Sequence, residues 1–103
     1  MLGYYQPCPT VGSQLAGPMD KKLYSRNQRI LLTLLREIRL EMGLRQQEVA
    51  DRIQEPQSFV SKVESGDRRL DLVQLHIILN ALEADLVGFV TRFVAEVDGK
   101  RGP

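Results

Sequence analysis

Apolar side chains recur at intervals of three and four residues over most of the chain after Ser25, which is the spacing of one face of an α-helix. The first series starts behind Ser25, a helix-capping residue type, and stops at Gly43, which favours a left-handed helix end. Its apolar positions are Ile30, Leu31, Leu34, Leu35, Ile38 and Met42. Since no segment alternates apolar and polar residues long enough for a strand, the pattern predicts an all-α fold.

Four shorter helices are predicted after the first one. They cover residues 46–53, the segment from Pro56 to Gly66, the segment behind the capping residue Asp71, and Leu86 to about Val97. Helices of eight or nine residues are not stable alone in water, so their apolar faces must pack together. Five helices joined by turns of a few residues predict a compact orthogonal bundle.

The two ends of the chain lack this pattern. Prolines and glycines punctuate the first twenty residues without a hydrophobic period, which predicts a flexible N-terminal tail over 1–24. The folded domain is expected over 25–98, with a short C-terminal tail over 99–103. A chain of 103 residues is long enough for one such domain and too short for two.

Composition narrows the class of protein. There is no apolar run near the roughly 18 residues that a membrane helix needs, and no secretory signal, so a cytoplasmic protein without membrane contact is expected. No nucleophile with a base, phosphate loop or metal-ligand cluster is present, which predicts no enzyme, no metal and no cofactor. The net charge is only +1, but residues 21–69 carry 11 Lys and Arg against 7 Asp and Glu, so positive charge is concentrated there.

The second and third helices have the spacing of a helix-turn-helix. Ala50 is small enough to let the third helix cross closely over the second, while Val60 and Val63 fill the angle between them. The wider pattern consists of Leu35-Arg36, Arg39, Gly43-Leu44, Gln46, Glu48-Val49-Ala50, Ile53, Ser58, Val60 to Gly66, Arg68 and Ala81-Leu82. With these residues, the segment from about Leu34 to Phe89 resembles the Cro/repressor-type helix-turn-helix family, also called the Xre family. The resemblance implies a five-helix, lambda-repressor-like domain that binds DNA.

Three positions depart from the family pattern. Gln54 stands where the family usually has a turn glycine, and a positive φ there costs a non-glycine residue about 1 kcal/mol. Arg45 and Pro56 replace the hydroxyl residues that usually begin the second and third helices, so two side-chain caps are missing.

The exposed side of the third helix is the expected base-reading surface. Its polar residues are Gln57, Ser58, Ser61 and Lys62. Gln57 can make a two-point contact with adenine, Lys62 can donate to guanine, and the serines can donate or accept. The alternative is an ordinary solvated helix face.

Phosphate contacts are expected at the edges of this helix pair. Gln46, together with the free N–H groups at the start of the second helix, can hold one phosphate, a role that the resemblance supports. Arg68 and Arg69 follow the third helix, where basic residues of the family reach the backbone or a minor groove, and Arg45 also lies near the expected backbone.

Arg39 and Glu64 occupy inward positions among apolar residues, and the matching residues of the family form a partly buried ion pair. The same pair is expected here as a positioning device. Phe59 has two interpretations, packing onto neighbouring helices or presenting an exposed ring to a sugar or thymine methyl group.

The last predicted helix carries two apolar stripes. Phe89, Phe93 and Val97 form one stripe, and Val90 and Val94 form the next. Because a small domain buries one stripe, the presence of two favours homodimerisation through this helix, with an interface of Phe89, Val90, Phe93, Val94 and Val97. The alternative is that both stripes cover the single core. A dimer places two recognition helices about 34 Å apart and predicts a palindromic operator.

Together these features predict a sequence-specific regulator of transcription that binds double-stranded DNA as a homodimer and acts as a repressor. Two alternatives remain open. One is an antitoxin that binds both its operator and a toxin protein, and the other is a protein-interaction module that keeps the fold without binding DNA.

Overall fold

The computed structural model describes residues 20–101, which form five α-helices and no strand. The helices are α1 (Lys21–Glu41), α2 (Gln46–Ile53), α3 (Gln57–Ser65), α4 (Leu72–Ala81) and α5 (Leu86–Arg101). The connections contain three to six residues, as expected for a small helical domain. The predicted all-α architecture is therefore confirmed.

Helix α1 begins earlier than the sequence predicted. Asp20 is the N-cap, and its carboxylate accepts the backbone N–H groups of Lys22 at 2.9 Å and Leu23 at 3.3 Å. Ser25 was expected to cap this helix but lies inside it, because the aspartate satisfies the free amides one turn earlier. Residues 21–24, assigned to the flexible tail, are helical, and residues 1–19 lie outside the described residues.

Helix α5 also extends beyond its predicted end near Val97, and it continues to Arg101. The start of the expected C-terminal tail at Gly99 is therefore helical, and residues 102–103 lie outside the described residues. The guanidinium of Arg26 on α1 donates a hydrogen bond of 3.2 Å to the backbone carbonyl of Val97. This contact ties the first part of α1 to the second half of α5.

The turns around α2 and α3 set the angle between the two helices. Gly43 and Gly66 have φ values of 71° and 89°. The left-handed end predicted at Gly43 is confirmed, and Gly66 ends α3 in the same conformation. Gln54, between α2 and α3, has φ 60° and ψ 45°, so a non-glycine residue does occupy the left-handed region there. Ala50 is fully buried, which allows α2 and α3 to pack closely.

One hydrophobic core lies between the helices. Its most buried members come from all five helices and from the turn after α4, namely Ile30, Leu34, Leu35, Val49, Ala50, Val60, Val63, Leu75, Ile78, Leu79, Leu82 and Phe89. Phe59 packs against this core, in agreement with the first of its two interpretations. Between residues 20 and 101, no helix is long and apolar enough to cross a bilayer.

Candidate nucleic-acid interface

Helix α3 presents the four polar residues that the sequence singled out. Gln57, Ser58 and Lys62 are exposed and Ser61 is half-buried. At 100° per residue the four lie within an arc of about 140°, turned away from the buried Val60 and Val63. The apolar side of α3 therefore holds the helix on the core while the polar side stays accessible.

A chain of hydrogen bonds joins this polar side to the interior. Gln57 Nε2 donates to Gln46 Oε1 at 2.6 Å, and Gln46 Nε2 donates to Glu64 Oε1 at 2.9 Å. Glu64 in turn accepts two hydrogen bonds from the Arg39 guanidinium, at 2.6 Å from Nε and 3.1 Å from Nη2. Arg39 Nη1 completes the chain by donating to the carbonyl of Leu44 at 2.8 Å.

The Arg39 to Glu64 pair is the buried anchor of this chain. Arg39 is 8% exposed, and the two side chains bind in the parallel, two-point manner that gives an arginine–carboxylate pair its directionality. No buried side-chain nitrogen or oxygen in the described part of the chain lacks a partner. The pair thus fixes the end of α1 to the end of α3 without leaving an unsatisfied polar group.

The links from Gln57 to Gln46 and from Gln46 to Glu64 were not predicted from the sequence. The partners are separated by 11 and 18 residues, so no local spacing rule brings them together. The available signal is positional, since Gln46 and Gln57 are the first residues of adjacent helices. Once α2 and α3 cross at their observed angle, these two amides meet.

Arg45 and Gln46, which the sequence predicted as phosphate contacts, lie at the start of α2. Arg45 is the N-cap but contributes no acceptor, because a guanidinium only donates. The Glu48 carboxylate instead accepts the Arg45 backbone N–H at 2.7 Å, and the Arg45 side chain adds an ion pair at 3.5 Å. The hydrogen bond from the Arg45 backbone is the main reason that the pKa of Glu48 is lowered from its ordinary value of 4.5.

The side chains of Arg68 and Arg69 point in different directions although the residues are consecutive. The Arg68 guanidinium lies 4.8 Å from the centre of the Phe59 ring, and its backbone N–H donates to the carbonyl of Lys62 at 3.1 Å. The Arg69 guanidinium lies 4.9 Å from the centre of the Tyr24 ring on α1. The second contact was missed from the sequence because Tyr24 had been assigned to the tail.

The two apolar stripes of α5 have different surroundings. Phe89 is 4% exposed, and Phe93 and Val97 pack against the same core, so this stripe completes the fold of the single chain. Phe89 had been expected at a dimer interface, but its ring fills the space between helices and is not accessible. Val90 and Val94 are exposed by 40% and 48%, which reduces the predicted partner surface to the second stripe.

No group of three His, Cys, Asp or Glu residues within 20–101 is arranged to hold a metal ion. The polar residues that converge are amides, guanidiniums and hydroxyls on and around α3. Such groups donate hydrogen bonds to phosphates and to base edges.

Comparison with known proteins identifies the same helix-turn-helix unit. The family model for helix-turn-helix proteins matches residues 35–89, which includes α2, α3 and their turn. An XRE-family like protein from Pseudomonas syringae pv. tomato str. DC3000 superposes with a TM-score of 0.71 at 34% identity, covering 74% of this chain and 93% of its own. A search of curated proteins finds no match.

Two further solved structures are of the restriction-modification controller protein C.Esp1396I. The wild-type protein has a TM-score of 0.64 at 25% identity, covering 69% of this chain and 92% of its own. The C.Esp1396I tetramer in complex with its natural 35 base-pair operator has the same TM-score and identity, covering 69% and 93%. The chain therefore belongs to the Xre-type helix-turn-helix family of DNA-binding proteins.

Proposed function

We propose that this chain is a transcription regulator that reads duplex DNA through α3, lying in the major groove. The observation that carries this proposal is the accessible polar side of α3, anchored through Gln57, Gln46 and Glu64 to the buried Arg39. A base-reading side chain discriminates best when its position is held before binding, because less conformational freedom is then lost. Gln57 has such support, and Lys62 lies on the same side of the helix.

In this proposal Gln57 contacts adenine and Lys62 donates to guanine, with Ser58 and Ser61 as further contacts to base edges. A good two-point contact is worth about 1–3 kcal/mol of discrimination against the wrong base. One hydrogen of the Gln57 Nε2 group donates to Gln46, which leaves the second hydrogen and Oε1 for the base. Gln57 can therefore contact both adenine groups while its bond to Gln46 is kept, and the second hydrogen of Gln46 Nε2 is available to a phosphate.

The backbone contacts surround this helix. Gln46 and Arg45 begin α2, whose first N–H groups are aligned to bind an anion. Arg68, at the other end of α3, is held against Phe59 and is exposed. Stacking on a ring restricts the guanidinium without using all five of its N–H donors, so Arg68 and, on the α1 side, Arg69 remain able to donate to phosphates.

We further propose that the protein acts as a homodimer through the exposed apolar residues of α5. Val87, Val90 and Val94 follow one another at helical spacing, and all three are exposed. This spacing forms a continuous apolar surface of the kind that marks protein contacts. The tetramer that C.Esp1396I forms on its operator supports self-association as the mode of DNA binding in this family.

A dimer with two-fold symmetry positions two α3 helices about 34 Å apart and requires a palindromic operator. Such a complex covers about two turns of DNA. Repression then follows from occlusion of a promoter that overlaps the operator.

In-vitro selection of bound DNA by the wild type, Gln57→Ala and Lys62→Ala tests the base-reading assignment. We expect a palindromic motif for the wild type, with loss of preference at one base pair per half-site in each variant. A motif that is identical for all three proteins contradicts the assignment. Absence of any retained DNA, or retention that does not weaken as salt rises, favours the interaction-module alternative, because phosphate contacts give a steep salt dependence.

A further inference from the structure

A groove of about 500 Å³ lies between α1 and the end of α3, and of the proposed base and phosphate contacts it includes Arg69. Three guanidiniums line it, those of Arg29 and Arg36 on α1 and that of Arg69 on the loop after α3. Polar groups that can also donate hydrogen bonds, including Gln28 and Thr33, lie beside them. The groove therefore has the lining of a site for an anionic ligand.

The charge of this groove is not neutralised from inside the protein. Arg29 and Arg36 are exposed, and neither has a hydrogen bond or ion pair with another described residue. Glu64 is the one carboxylate in the lining, and both of its oxygens already accept from Arg39 or Gln46. The groove is thus positive and has free donors, whereas a structural cluster of arginines would be paired with carboxylates.

The groove is also continuous with the proposed DNA-binding surface. Its wall is the end of α3, one turn beyond Lys62, and the loop that follows is held there by the hydrogen bond from Arg68 N–H to the carbonyl of Lys62. From this loop Arg68 turns toward α3, and Arg69 turns to Tyr24 on α1. Positive charge consequently runs from the base-reading helix around the loop and along α1.

The extent of the groove suits a chain of phosphates rather than a single small anion. Arg29 and Arg36 are seven residues apart on one helix, which corresponds to about 10 Å at 1.5 Å per residue. Two guanidiniums this far apart can contact different phosphates of one strand, because each strand carries a charge about every 3.4 Å along the duplex axis. Guanidiniums are well matched to phosphate because their planar N–H donors bind two oxygens at once.

We propose that this groove binds backbone phosphates of the duplex in addition to those contacted by α2 and Arg68, so that α1 is part of the DNA-binding surface. This inference rests on the proposed function, since it assumes that α3 reads duplex DNA. It assigns Arg29, Arg36 and Arg69 to affinity and not to sequence preference, because phosphates carry no base information.

The test compares Arg29→Gln/Arg36→Gln with Arg29→Lys/Arg36→Lys, which keeps the charge, and with Arg92→Gln on α5, outside the groove. The slope of log K against log salt concentration is measured on the selected DNA motif, and ethylation interference maps the contacted phosphates. Each lost phosphate contact lowers the slope by about 0.9, so the double Gln variant should lose close to 2. The Lys variant and Arg92→Gln should keep the wild-type slope.

We also expect the double Gln variant to select the wild-type motif while losing interference at phosphates that the wild type contacts. An unchanged slope and interference pattern overturns the groove proposal and leaves the base-reading proposal intact. Groove-dependent binding of inorganic triphosphate without any change in the DNA slope also overturns it, since the ligand is then a free phosphate compound. Absence of DNA binding by the wild type overturns both proposals. Thermal unfolding of each variant verifies that the fold is kept.

Discussion

The side-chain amide of Gln57 donates a 2.6 Å hydrogen bond to that of Gln46, so the first residue of α3 is held by the first residue of α2. Gln46 is bound in turn to Glu64, the buried partner of Arg39. The residue proposed to read bases and the residue proposed to hold a phosphate are therefore parts of one network. A DNA contact made by either residue is therefore expected to influence the DNA contact made by the other.

Gln46→Ala and Gln57→Ala should consequently be coupled in operator affinity. Contacting residues show interaction energies of about 0.5–3 kcal/mol in double-mutant cycles, and we expect a value in this range. Affinities of the wild type, both single variants and the double variant give the cycle. Gln47→Ala is the control. Gln47 is adjacent to Gln46 in sequence, but its side chain bonds to Asp51 and not to this network, so its effect should be additive with that of Gln57→Ala. Additivity of Gln46 and Gln57 would contradict a functional role for the network.

Arg39→Met should destabilise the fold by about 3–5 kcal/mol, because it leaves the Glu64 carboxylate without its counter-charge in a site that is largely desolvated. Urea unfolding measures this loss. The double variant Arg39→Met/Glu64→Leu should recover most of it, since no unpaired charge is then left behind. A single variant within 1 kcal/mol of the wild type would show that water reaches the pair and replaces the lost partner.

Gln54→Gly should stabilise the protein by about 0.5–1 kcal/mol. The left-handed φ of 60° costs a non-glycine residue about 1–2 kcal/mol, and the greater freedom of glycine in the unfolded chain offsets only part of the gain. Gln47→Gly, the same substitution in the right-handed backbone of α2, should instead cost about 1 kcal/mol. Equal effects at the two positions would rule out backbone strain as the cause.

Val94→Glu should convert a dimer into monomers without unfolding the chain, because the side chain is exposed and the charge enters the proposed interface. Sedimentation velocity measures the change. Ala95→Glu is the matched control, with an equal charge placed about 100° around the same helix. If Val94→Glu sediments like the wild type, α5 is not the contact between subunits.

The start of α2 should weaken in acid. The pKa of Glu48 is lowered, mainly by the backbone N–H of Arg45, so its ionised form is favoured in the folded state. Its contribution to stability is present above the ordinary value of 4.5 and is lost as the pH falls through the lowered pKa. Glu48→Gln should therefore be less stable than the wild type at neutral pH, and the difference should shrink below about pH 4.5 in unfolding titrations. A difference that is independent of pH would exclude this ionisation as its source.

Much of the fold follows from local physical chemistry that a single sequence reveals. The three- and four-residue spacing of apolar residues predicted the five helices, and Gly43 and Gly66 marked helix ends that the backbone confirms. The first limit of α1 was wrong, because Asp20 caps the helix in place of Ser25 and accepts from its free amides. The polar residues of α3 were identified because their exposure depends on helical periodicity alone.

The tertiary structure decided the contacts between residues that no local rule relates. The crossing of α2 and α3 joined Gln46 to Gln57, and the packing of α1 beside the loop after α3 brought Tyr24 to Arg69. Similarly, the sequence does not determine which apolar stripe of α5 faces the core, and the packing of the helices buries Phe89 while leaving Val94 exposed. The sequence by itself determined which residues are helical and which helix faces are apolar. The folded chain decided which faces meet, because long-range packing depends on the arrangement of all five helices at once.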